Sequence, residues 1–143
     1  DKMIELTIPG KPQGKARART VYNPRINRSV SYTPDNTVLY ENLIKTLYLE
    51  KYPGERFSKG EALHVRIRAY YEPPKSISKK KREEMLAGDF LPCKKPDIDN
   101  IAKAVLDALN GVAYGDDNQV TVLEVSKHYA AEAHVDITIF EEK

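Results

Sequence analysis

Apolar and polar residues alternate over residues 3–8, which predicts a strand. Pro9-Gly10 ends it, because proline has no N–H to give to a ladder. A stricter alternation sets Leu63, Val65, Ile67, Ala69 and Tyr71 against His64, Arg66 and Arg68. That is the pattern of a strand with one buried face, stopped by Pro73-Pro74. Residues 119–129 and 134–140 read as two further strands that close the chain as a hairpin. Helical spacing appears in three places. Thr33-Pro34-Asp35 opens a helix whose stripe is Val38, Leu39, Ile44, Leu47 and Tyr48, stopped by Pro53-Gly54. Ser78 caps a second that runs to Ala87, with Gly88 placed to end it. A third starts at Ile98 or Asp99 and runs to Asn110, ended by Gly111. Ile98, Ile101, Val105 and Leu109 share its apolar face, and Asp99, Lys103, Asp107 and Asn110 the polar one. Residues 11–34 are basic with scattered Gly and Pro and read as a loop or irregular hairpin, within which residues 17–21 can pair as a strand. The expected fold is α+β, a single domain over residues 1–143, with a mixed or mainly antiparallel sheet and helices packed on one face.

A chain of 143 residues can bury a core without disulfides or a structural metal. The one cysteine, Cys93, excludes an intramolecular disulfide and a cysteine-rich zinc site, so a reducing, cytoplasmic setting is expected. No apolar run approaches the roughly 20 residues of a membrane helix, and no membrane partner is expected. Net charge is only +2, yet it is unevenly placed. Lys15, Arg17, Arg19, Arg25 and Arg28 cluster near the start, and Lys75, Lys79, Lys80, Lys81 and Arg82 in the middle. Acids concentrate between Asp97 and Asp117. Basic groups flanking an acidic one suit an enzyme that holds phosphates around a metal; solvated surface is the plainer account. Lys79, Lys80, Lys81 and Arg82 form the first turn of the second helix, where each cation opposes the helix dipole by about 0.3–1 kcal/mol. An anion docking there would offset that cost.

The chemistry concentrates in KPDIDNIAKAVLDALNGVAYGDDNQV. Pro96 disfavours the helical region for Lys95, so the chain reaches Asp97 extended. Asp97 and Asp99 then point the same way, since residues two apart in an extended segment share a face. The turn at Asp116-Asp117 follows one helix and a short link later, and folding back there would bring a third carboxylate to the first two. Hydrolysis of a phosphodiester places water on an already anionic phosphorus. A hard cation lowers the pKa of that water and neutralises developing charge. Mg²⁺ takes oxygen ligands, keeps several waters and is suited by carboxylates from different elements. Lys103, one turn beyond Asp99, would reach the same place and help bind phosphate or the leaving oxygen. Each piece also has a plainer role: a helix N-cap at Asp99-Asn100, a turn at Asp116-Asp117-Asn118, a surface pair Asp99–Lys103.

Taken together, the stretch resembles the signature of the RusA family of Holliday-junction resolvases. The residues that carry the resemblance are Asp97-Ile98-Asp99-Asn100, Lys103, Asp107-Ala108-Leu109 and Asp116-Asp117 before Gln119-Val120. Weaker similarity covers Pro9-Gly10-Lys11-Pro12 and the run from Pro74 to Lys81. The resemblance implies a metal-dependent endonuclease that makes paired cuts in four-way DNA junctions, leaving 5′-phosphate and 3′-hydroxyl ends. It implies that Asp97, Asp99 and Asp117 are catalytic metal ligands, with Asp116 as a further or substitute ligand, and that Lys103 is the catalytic lysine. The metal would be Mg²⁺, with Mn²⁺ able to substitute. A homodimer is implied as well, matching a junction with two-fold symmetry. Lys15, Arg17, Arg19, Lys79, Lys80, Lys81 and Arg82 would then line the DNA arms.

His64, His128 and His134 fit no zinc spacing and read as surface or internally satisfied histidines. No Gly-rich phosphate loop is present, so no nucleotide cofactor is expected. No side chain stands out as a wedge between bases; Phe90 and Tyr114 read as core or rim. The rival readings are a nuclease for flaps or forks, and a non-catalytic module that only holds branched DNA.

Overall fold

The computed structural model describes residues 2–143. In chain order it contains β1 (Met3–Pro9), β2 (Arg19–Asn23), β3 (Arg28–Tyr32), α1 (Asp35–Lys51), β4 (Leu63–Tyr71), α2 (Lys79–Leu86), α3 (Ile98–Leu109), a single 3-10 turn (Asp117–Gln119), β5 (Val120–Tyr129) and β6 (His134–Glu141). One mixed sheet has the order β1-β6-β4-β5, and β2-β3 form a separate antiparallel ribbon. The α+β expectation holds, and the irregular basic segment resolves into that ribbon.

The expected terminal hairpin does not form. β6 pairs antiparallel with both β1 and β4, and β5 pairs with the other side of β4 in parallel. The reason lies in β4. Leu63, Val65, Ile67 and Ala69 are completely buried, so β4 is the strand that most needs a neighbour on each side. With β6 still beside β1, a β5–β6 hairpin would leave it at an edge. The parallel β4–β5 pair requires a long crossover, and the segment carrying α2 and α3 provides it.

Ile4, Leu6 and Ile8, the inward residues of β4, and Val135, Ile137 and Ile139 form one apolar sheet face. α1 and α3 pack against each other and onto this side, adding Tyr40, Ile44, Tyr48, Ile101, Val105, Ala108 and Leu109 to the core. The inward face of α1 differs in part from the expected stripe. Leu39 is 69% and Val38 40% exposed, and the inward face is Thr37, Tyr40, Ile44 and Tyr48. The apolar residues of α1 are spread around the helix, and its two inward tyrosines bury rings that a hydropathy reading treats as half polar. Ile98, expected on the apolar face of α3, is 44% exposed because it is the first helical residue, ahead of the point where Ile101 enters the core.

The opposite sheet face carries the polar residues of the same strands. There His64 bridges three elements: Nε2 lies 2.7 Å from Glu124 Oε2 on β5, and Nδ1 2.9 Å from Glu142 Oε2 beyond β6. Arg66 Nε lies 3.0 Å from Glu124 Oε2 as well, and the His64 ring stacks on Phe140 at 4.5 Å. Glu124, against a smaller opposing effect of burial, and then Glu142 raise the His64 pKa above its ordinary 6.5. A raised folded pKa means that the protonated ring favours the folded state. Its contribution is complete below pH 6.5 and disappears as pH rises through the higher folded value. Melting temperatures of the wild type and His64→Gln should therefore differ most just below pH 6.5 and converge in alkaline buffer. A gap that widens with rising pH would show that the ion pairs do not carry this contribution.

Candidate active site

α3 starts where the chain leaves a cis Lys95–Pro96 peptide, with Asp97 as N-cap in extended geometry (φ −67°, ψ 153°). The N-cap weighed at Asp99-Asn100 falls instead on Asp97, whose side chain makes no capping hydrogen bond, so capping does not account for its carboxylate. Asp99 lies in the first helical turn, where the helix dipole favours an anion. Both side chains are exposed, and neither forms an ion pair among the described residues. The surface pair Asp99–Lys103, the plainer role for these two residues, is thus absent among the described residues.

Asp97 lines an open cleft of about 250 Å³ together with Gly14, Lys15, Lys95, Pro96 and Asn100. The other wall is a stretch of the basic segment. Lys15 N donates to Asn100 O at 2.9 Å, and Ala16 N donates to Thr37 Oγ1 at 3.2 Å. The loop is thereby laid across the N-terminal ends of α3 and α1. Gly14 makes that approach possible, since a Cβ there would sit 2.8 Å from Pro96 Cβ and 2.9 Å from Asn100 Cβ. Gly14→Ala should push the loop away from α3 and cost about 1–3 kcal/mol. Thermal melting checks it, and an unchanged melting point would mean that the loop moves aside freely.

Lys15, expected to face DNA, is engaged within the protein. Its side chain is 20% exposed, and its ammonium lies 2.7 Å from Glu41 Oε2 on α1 and 3.4 Å from Asp107 Oδ2 on α3. Burial works against its charge, but Glu41 and Asp107 outweigh that and hold its pKa above 10.5. The same ion pairs commit Asp107 to joining the loop, α1 and α3. Arg17 and Arg19 are exposed, Arg19 at the start of the ribbon. On α2, Ser78 Oγ accepts from Lys81 N, as the sequence predicts. Lys79 and Lys80 are exposed, Arg82 is half-buried, and Lys81 lies over the Phe90 ring at 3.5 Å. Phe90 thus belongs to the rim, and Tyr114, completely buried, to the core.

Asp116 and Asp117 stand at the start of the 3-10 turn before β5. Gln119 holds this turn. Its Oε1 accepts from Gly115 N at 2.9 Å and Asp116 N at 3.2 Å, while its Nε2 donates to Ser58 O at 2.9 Å and Glu61 O at 3.1 Å. Asp116 raises the pKa of Asp117, with smaller contributions from burial and Asp107 and an opposing one from Lys103. Tyr114 lies beneath, donating its hydroxyl to Leu106 O at 2.9 Å. Burial, then Asp117, Asp107 and Asp116, push that hydroxyl well above the usual tyrosine range.

The turn does fold back onto α3, but toward Lys103 and Asp107. Asp107 lies about 12 Å further along the helix axis than Asp99, at 1.5 Å per residue. Among the described residues no three of His, Cys, Asp and Glu stand close enough to hold one metal ion. Asp97 and Asp99 stand at the start of α3 and Asp116 and Asp117 at the 3-10 turn, with Lys103 of α3 near enough to Asp117 to oppose the rise in its pKa.

Two residues that matter here are not marked by the sequence. Gln119 stands inside the family motif, but nothing in its position signals four hydrogen bonds at a buried amide. Gly14 looks like any loop glycine, since its tight packing depends on where α3 begins.

No described helix is long and apolar enough to cross a membrane. The chain is 33% identical over 141 residues to the uncharacterized protein YqaN of Bacillus subtilis (strain 168), covering 96% of each chain. The family model for endodeoxyribonuclease RusA matches residues 9–140, from the end of β1 into β6, and so spans both acid pairs, Lys103 and the loop that crosses α3. The chain therefore belongs to the RusA endodeoxyribonuclease family.

Proposed function

We propose that this protein is a metal-dependent endonuclease that resolves four-way DNA junctions by paired hydrolytic cuts, and that it acts as a homodimer. One observation carries the reading. Of the acids in the family motif, Asp97 and Asp99 are left exposed and without ion-pair partners, whereas Asp107 is tied to Lys15. Structural roles thus explain Asp107 and leave Asp97 and Asp99 unexplained.

Asp97 and Asp99 at the start of α3, and Asp117 with Asp116 at the turn, would each offer a pair of carboxylates to Mg²⁺ or Mn²⁺. The donors suit such a hard cation: all are carboxylate oxygens, and the Asp116 hydrogen bond, burial and nearby like charge that raise the Asp117 pKa are what a cation would offset. Mg²⁺ commonly takes only one or two carboxylates, completing its shell with waters and substrate phosphate, so two acid pairs suffice without a closed cage. When bound, the metal lowers the pKa of an attacking water and neutralises charge on the phosphate. Lys103, one helical turn beyond Asp99 and near Asp117, offers an ammonium to the scissile phosphate or leaving oxygen. Arg17, Arg19, Lys79, Lys80, Lys81 and Arg82 would position the arms through phosphates, which adds affinity without sequence reading. Two copies related by two-fold symmetry would set two such sites on opposed strands.

The test is cleavage of a labelled four-way junction beside linear duplex, flap and fork, in Mg²⁺ or EDTA. Symmetric nicks in the junction alone, lost in EDTA, are expected. Preferred cutting of flaps or forks would reassign the substrate. Junction binding without cutting in Mg²⁺ or Mn²⁺ would replace the enzyme with a binding module.

A further inference from the structure

A second cleft, of about 360 Å³, lies beside the one that Asp97 lines. Segments far apart in sequence converge on it: Lys11 and Pro12 after β1, Tyr71 to Lys75 at the end of β4, Lys94 and Lys95 before α3, and Ala133 between β5 and β6. Backbone bonds hold these segments together, from Gly10 N to Ala133 O at 3.1 Å and from Ala130 N to Tyr71 O at 2.9 Å. Lys94 is fixed twice, its carbonyl by Lys127 Nζ at 2.6 Å and its ammonium over the Tyr71 ring at 5.2 Å. Lys11, Lys75, Lys94 and Lys95 all line the cleft and are exposed, with Glu72 the one acid among its lining residues. Cations gathered this way repel one another unless an anion joins them.

The walls say which anion. Pro12, Pro73 and Pro74 have no N–H, and the Tyr71 hydroxyl, though unpaired among the described residues, is buried, so these walls supply few directional donors for a small phosphate. Ammonium groups on flexible stems along an open, stiff trough suit a polyanionic strand, held at its phosphates without regard to sequence. Lys95 lines both clefts, which joins the trough to Asp97.

We propose that this lysine cleft is the track along which a DNA strand runs to or from the candidate active site, with Lys11, Lys75, Lys94 and Lys95 meeting successive phosphodiesters. The inference rests on the nuclease reading for its substrate, but its test reads binding alone. Affinity for a labelled junction in EDTA would be measured against salt for the wild type, Lys75→Gln/Lys94→Gln and Lys45→Gln. Lys45 is on α1 and lines neither cleft. The double variant should bind junctions of unrelated sequence more weakly. Its log–log salt slope should be shallower by about 2, near 0.9 for each phosphate no longer neutralised. Lys45→Gln should match the wild type. An unchanged slope in a folded double variant, as a site for free phosphate alone would give, overturns the proposal, and so does an equal weakening in Lys45→Gln. If the wild type cuts nothing but the slope still falls, the nuclease reading fails and the track stands. If it cuts and the slope is unchanged, the track fails alone.

Discussion

Asp97→Asn should lower junction cleavage by about a thousandfold, a barrier increase of ~4 kcal/mol, while junction binding is retained or strengthened. The exchange keeps the shape of the side chain and removes its charge and one oxygen donor. Asp97 is exposed, makes no capping hydrogen bond and forms no ion pair, so the fold depends little on its carboxylate. Stability should move by no more than about 0.5 kcal/mol. Loss of cutting would then report chemistry and not unfolding. Single-turnover cleavage of a labelled junction in Mg²⁺, beside a melting curve and a binding titration, measures all three. Asp117→Asn should behave like Asp97→Asn, and Asp116→Asn should lose less. The reverse order within the pair would make Asp116 the principal ligand. Cutting by Asp97→Asn at the wild-type rate would remove Asp97 from the site.

The elements are legible in the sequence wherever one physical rule acts alone. The alternation through Leu63, Val65, Ile67 and Ala69 marks β4, and Ser78 marks the start of α2, because each signal is local. Strand order is not legible. Residues 120–141 look like a hairpin on their own, and only the need of β4 for two neighbours separates β5 from β6. The inward face of α1 escapes a hydropathy reading because Val38 and Leu39 are apolar by composition, while Tyr40 and Tyr48 are apolar by where their rings lie. At the site, the motif names the acids but not their environment. Lys15 reads as a free cation for phosphate, and only the packing of α1 against α3 brings Glu41 and Asp107 to it. The lysine cleft is invisible for the same reason, since its cations come from segments that meet only in the folded chain.

Gln119→Ala should produce the opposite signature to Asp97→Asn: a large loss of stability together with a loss of activity. Truncation removes the partner of four backbone groups, Gly115 N, Asp116 N, Ser58 O and Glu61 O. Gln119 is buried, so water replaces those bonds poorly, and the expected cost is about 3 kcal/mol. For a domain of this size that corresponds to a fall in melting temperature of about 10 °C. The same bonds tie the Asp116–Asp117 turn to the segment ahead of β4, so the turn should loosen before the sheet does. Well below the melting point, cleavage should fall by more than tenfold while junction affinity falls less, because the lysines and arginines proposed to hold phosphates lie elsewhere. Gln119→Glu separates the two halves of the amide. It keeps an acceptor for Gly115 N and Asp116 N but turns an anion toward Ser58 O and Glu61 O, so it should be at least as unstable as the alanine variant. A melting temperature unchanged in both variants would mean that the turn is held by the chain around it, and that Gln119 does not position Asp116 and Asp117.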